Sequence, residues 1–185
     1  MLINKKTGNL IAIALLALVP LLLNDPFVTH MGIRAATAAI VVMGLTLFIG
    51  YTGQISLGHA AFFGLAAYIS GILMKSGFPF LGSVAVATIV VGFLGCLVGL
   101  LVLRTSGHYL ALASIGVGGI LQTLVKNSSI TGGPSGLTAV PEPSFFGWSL
   151  NSDILYYYMV LFCMVVGFII LRRITDSRTG DALRS

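Results

Sequence analysis

The chain has 185 residues, 57% of them hydrophobic and only 8% charged, with a formal net charge of +5 and a mean hydropathy of +1.03. A soluble domain carries about 25% charged residues, so most of this surface cannot face water, and a water-soluble globular fold is excluded. The apolar runs are continuous rather than alternating like the ~10-residue strands of a membrane barrel, and roughly 20 apolar residues suffice to span a bilayer as a helix.

Six apolar segments follow in chain order: Leu10–Leu23, Ile33–Ile49, Ile55–Met74, Phe80–Leu103, Tyr109–Val125 and Ile154–Leu171. The predicted fold is therefore all-α, a polytopic transmembrane helical bundle of about six spans, with a candidate helix break near residues 50–58. The first segment is short, carries Pro20 and follows Lys5 and Lys6, as a leader peptide would. The "NDPFVTH" that follows has no small-residue cleavage pattern, so the segment reads as a retained span, with a leader as the alternative. His30 falls in the connection after it and carries no signal.

The third segment opens on "GYTGQISLGHAAFFG" (50–64), where Gln54, Ser56 and His59 stand among Gly50, Gly53 and Gly58. Polar side chains at membrane depth are costly and face a bundle interior or a cavity, and irregular backbone is tolerated where it lines one. Gln54, Ser56 and His59 are thus candidates for a substrate path. The structural alternative makes Ser56 a helix cap, leaves Gln54 in a loop and has His59 bond a neighbouring carbonyl. Small residues at Gly58, Ala61, Gly64, Ala67 and Gly71, and at Gly92, Gly95 and Gly99 in the fourth segment, mark close-packing faces.

Arg104 and His108 lie at the turn before the fifth segment, where an interfacial anchor is the simpler role. The one long connection, Lys126–Asp153, contains "TGGPSG" (131–136), dense in turn chemistry, followed by Pro141 and Pro143. Gly132, Gly133 and Pro134 are candidates for an external docking surface, against the plainer reading of an ordered loop. Trp148 and Tyr156 to Tyr158 resemble an interfacial aromatic belt. Cys96 and Cys163 sit inside apolar runs without a Cys-x-x-Cys partner and read as small hydrophobes.

With the N-terminus cytoplasmic, the inner connections hold Lys5, Lys6, Arg104, Arg172, Arg173, Arg178 and Arg184, and the outer ones Arg34, Lys75 and Lys126. That asymmetry obeys the positive-inside rule. It explains the basic charge by orientation and removes the need for nucleic acid. No predicted span contains Asp or Glu, which weakens an ion-coupled carrier. The sequence holds no metal-ligand, P-loop or nucleophile-elbow pattern, so no catalytic residue, metal or cofactor is assigned.

Four stretches carry a family resemblance: "GQISLGHAAFFG" (53–64), "RTSGHYLA" (104–111), "TGGPSG" (131–136) and "DSRTGDALRS" (176–185). In this order they resemble the M-type inner-membrane permease of bacterial branched-chain amino-acid ABC importers, over nearly the whole chain from Ile33 onward. One departure is Gly119, where members often carry Glu. The resemblance implies a permease for leucine, isoleucine and valine without an ATPase of its own. It would work in the lipid bilayer with a second homologous permease subunit, two cytoplasmic ATP-binding subunits and a periplasmic amino-acid-binding protein. It also implies an ATPase-coupling role for Arg178, Gly180 and Arg184. Residues 1–185 are then one permease domain, the N-terminal half of a longer protein, with 126–153 external and 172–185 opening a cytoplasmic coupling segment. The rivals are a sugar permease of the same superfamily and a non-transporting membrane scaffold.

Overall fold

A computed structural model describes residues 16, 18, 20, 25–52, 58–102, 108–145, 148–149 and 152–175. They form five α-helices: α1 (Pro26–Thr52), α2 (His59–Lys75), α3 (Phe80–Val102), α4 (His108–Asn127) and α5 (Asp153–Thr175). A 3-10 turn, Gly133–Ser135, and two paired two-residue strands, β1 (Ser144–Phe145) and β2 (Trp148–Ser149), occupy the long connection. The five helices correspond to the second through sixth apolar segments. Three stretches, Pro26–Leu47, Phe80–Leu100 and Asp153–Thr175, are long and apolar enough to cross a membrane, and His59–Lys75 is a shorter apolar helix. The first predicted segment lies outside the described residues except for Leu16, Leu18 and Pro20.

α1 starts earlier than its hydropathy suggests. Asp25 accepts a hydrogen bond from the Phe27 amide through Oδ1 at 2.9 Å, and Pro26 takes the first helical position, where a missing N–H costs nothing. This cap extends the helix back through His30, which its sequence placed in a connection, and sets Arg34, counted with the outer charges, a little over two turns into it. α2 stops at a Schellman motif: the Gly77 amide bonds the Met74 carbonyl and the Phe78 amide the Leu73 carbonyl, both at 3.0 Å. Gly77 supplies the left-handed φ of +86° that this motif demands.

The chain divides into two compact units, residues 1–44 with 150–185 and residues 45–149. In the first, the Tyr157 ring lies against Gly32, where any Cβ would collide with it. Tyr157 is only 2% exposed, and its hydroxyl donates to the Leu16 carbonyl at 2.7 Å. That carbonyl needs an outside donor. In an α-helix it would accept from residue 20, but residue 20 is a proline. His30 Nε2 and Asp153 Oδ2 lie 3.5 Å apart with both side chains more than half exposed.

In the second unit, α2 packs on α3 and α4, α3 also meets α4, and the 3-10 turn rests on α4. What is buried is small or polar. On α3, Ser83 (0% exposed) and Ala87 are buried, while Ile89 (70%), Phe93, Leu97 and Leu100 form an open face. Large apolar side chains outside and small ones inside is the arrangement expected where the solvent is lipid and helices gain by close approach. Gly92, Gly95 and Gly99 were expected to seat a neighbour, but added methyl groups there would meet nothing within 4 Å.

Candidate functional site

The first turn of α2 packs against the middle of α4. Gly58, the buried residue that caps α2, sits so close to α4 that a Cβ would lie 2.5 Å from the Ser114 carbonyl oxygen. Gly118, one turn further along α4, would place a Cβ 3.4 Å from the Gly58 Cα and 3.7 Å from the Ala61 Cβ. Ser114 is six residues into α4, about 9 Å along its axis. From that point α2 runs toward the C-terminal end of α4: Tyr68 lies beside Gly136, and Gly71 beside Leu137 and Val140.

Of the candidate path residues, His59 is the first residue of α2 and is half-buried at this junction. Gln54 and Ser56 lie outside the described residues, as does most of the predicted break, which falls between the end of α1 at Thr52 and Gly58.

Gly132, Gly133 and Pro134 lie on a tightly bonded loop. Gly132 has φ +83°, its amide bonds the Ser129 carbonyl at 3.2 Å, and the Gly133 amide bonds the Ser128 carbonyl at 3.1 Å. The buried Thr131 hydroxyl is placed to donate to the Val125 and Ser128 carbonyls; the first is one of the acceptors that the end of α4 leaves without an intrahelical donor. The loop borders a recess of about 440 Å³ with Lys126, Asn127, Ser128 and Ser129. The three candidate coupling residues, Arg178, Gly180 and Arg184, lie outside the described residues.

Sequence reasoning did not foresee a groove of about 540 Å³ between α2 and α4. Ala61, Gly64, Gly118 and Gly119 give it a low floor, and Tyr68, Gln122 and Lys126 stand at one end. The available signal was Gln122 and Lys126, four residues apart and so on one helical face. Among the described residues, no three His, Cys, Asp or Glu side chains gather as a metal site.

Apolar helices with lipid-type exteriors and small, closely packed interiors define a polytopic helical membrane protein. Residues 28–185 match the family described as the permease component of the branched-chain amino acid transport system, and the chain belongs to that family. It is 34% identical over 140 residues to the high-affinity branched-chain amino acid transport system permease protein LivM of Escherichia coli strain K12, an alignment covering 72% of this chain and 33% of that one. The LivM protein of Salmonella typhimurium strain LT2 matches with the same identity and coverage. The alignment takes in about a third of the length of these relatives. No solved structure matches.

Proposed function

We propose that this chain is part of a bacterial inner-membrane permease that imports leucine, isoleucine and valine. ATP hydrolysis takes place in two separate cytoplasmic subunits, a second homologous permease completes the pore, and a periplasmic binding protein delivers the substrate. The observation that carries this reading is the family match across residues 28–185. The N-terminus is cytoplasmic, residues 126–153 are external, and residues 172–185 open the coupling segment, in keeping with the lysine and arginine asymmetry. Gly132, Gly133 and Pro134 meet the binding protein, and Arg178, Gly180 and Arg184 meet the ATPase.

Gln54, Ser56 and His59 border the translocation path. The packing of Gly58 on Ser114 supports this reading, because it sets the start of α2 about 9 Å in from the start of α4 rather than level with it. In that first turn the Ala61 amide bonds the Gly58 carbonyl at 3.0 Å, and the amides before it need polar company at that depth.

Deleting the gene should abolish high-affinity uptake of leucine or isoleucine at low micromolar substrate. Intact branched-chain uptake with loss of ribose uptake would instead make the chain a sugar permease.

A further inference from the structure

The chain between the 3-10 turn and β1 lies over the C-terminal end of α2, held there by two side chains. Leu137 and Val140 close over the buried Gly71. A Cβ on Gly71 would fall 2.8 Å from the Leu137 Cδ2 and 3.7 Å from the Val140 Cγ2. Tyr68, three residues earlier on α2, brings its hydroxyl beside Gly136. Upstream, Thr131 ties the loop to the end of α4. Downstream, the chain enters β1, which meets α3. Between these anchors, residues 137–143 make no backbone–backbone hydrogen bond among the described residues, and Thr138, Ala139 and Val140 are exposed.

This contact is made against strain. Ala139 has φ +54°, and among the described residues no other non-glycine has a positive φ. In that left-handed backbone the Cβ crowds the following carbonyl. Ala139 stands between Leu137 and Val140, the two residues that touch Gly71. Gly136 begins the stretch at φ +74° and ψ 179°, a region essentially open to glycine alone. Strained backbone persists only where its surroundings over-determine it, and here those surroundings are two apolar contacts. A segment with exposed amides and few such contacts belongs to the part of a protein that opens most readily.

We propose that residues 136–140 form a releasable latch on α2. It is closed while Leu137 and Val140 sit on Gly71. It opens by a swing about Gly136 in which Ala139 relaxes to a negative φ, and opening uncovers Gly71 and Tyr68. A partner seated on the adjoining Gly132–Pro134 turn would thereby gain a means of releasing this end of α2. That use rests on the permease reading, whereas the latch itself does not.

The test places spin labels on Thr138→Cys and Lys75→Cys, both exposed positions, in the complete transporter with its other cysteines replaced. Distances are read by pulsed electron resonance in lipid nanodiscs. The parent should show one dominant short distance. Val140→Ala removes half of the clasp and should bring up a second, longer distance. Adding Ala139→Gly to Val140→Ala removes the strain and should raise the ratio of short to long about fivefold, as relief of a left-handed alanine would. The proposal is overturned if the parent lacks a dominant short distance. It is also overturned if Leu137→Ala combined with Val140→Ala keeps only the short one, since the strap would then be a fixed part of the fold. A ratio that Ala139→Gly leaves unchanged or lowers would show that the strain does not oppose closure, and would overturn it as well. None of these readouts depends on leucine uptake, so failure of the permease reading would leave the test intact.

Discussion

Tyr157 and Pro20 illustrate how one residue's chemistry creates the need that another meets. Proline removes the donor that the Leu16 carbonyl would use, and in an apolar interior an unmet acceptor costs about 1–3 kcal/mol. The Tyr157 hydroxyl fills the vacancy at 2.7 Å, and Gly32 leaves room for the ring to reach it. Tyr157→Phe should therefore destabilise the protein by about 1–2 kcal/mol, read as a lower unfolding midpoint in detergent. In a Pro20→Ala background, where the backbone recovers its own donor, the same change should cost less than half as much. Equal costs in both backgrounds would show that the hydroxyl does not serve that carbonyl. The His30–Asp153 pair is more than half exposed on both sides, and such pairs contribute about 0–1 kcal/mol. His30→Ala should leave the midpoint nearly unchanged.

At the scale of elements, the glycines of α2 divide by what faces them. Gly58→Ala drives a methyl into the Ser114 backbone, which cannot rotate aside, and should cost about 1–3 kcal/mol as overpacking does. Gly64→Ala meets open space and should be neutral or gain up to about 1 kcal/mol from helix propensity. Comparing the two midpoints tests the α2–α4 packing directly, and a tolerant Gly58 would refute it. In the loop after α4, Thr131→Val keeps the shape and removes the hydroxyl. Amide exchange over residues 128–136 should then accelerate while exchange in α3 stays unchanged. The existence of the five described helices was legible in the apolar runs, because a bilayer demands them. The start of α1 was not, because Asp25 and Pro26 act through cap geometry in a polar stretch that hydropathy scores as a connection. The small residues of α2 pointed to packing, but sequence could not separate Gly58 from Gly64. That distinction depends on which face meets α4. The same limit hid the groove: Gln122 and Lys126 share a face on sequence grounds, but Tyr68 joins them only through the path α2 takes along α4. Gln54 and Ser56, two of the three candidate path residues, lie outside the described residues.

For the whole molecule, the open question the charges address is orientation. Seven lysines and arginines fall in connections assigned to one side and three to the other. Arg34 proves to lie within α1, eight residues past its start, about 12 Å along the axis, and it is exposed. A long cationic side chain at that depth reaches back toward the nearer interface, so it still counts with the outer set. Arg172 and Arg173 close α5, where they oppose the negative end of the helix dipole and also sit where the positive-inside rule wants them. Ser135, on the glycine-rich loop, and Thr175, the last residue of α5, should therefore lie on opposite sides of the membrane. Cys96 and Cys163 are free and exposed, so both are first replaced by alanine. Single cysteines at positions 135 and 175 are then probed with a membrane-impermeant thiol reagent in right-side-out and inverted vesicles. The cysteine at 135 should label only in the first preparation and the cysteine at 175 only in the second. Reversed labelling would invert the topology and move the Lys126 end of the groove to the cytoplasmic face. Labelling of both from one side would mean that α5 does not cross the bilayer, despite 23 residues apolar enough to do so.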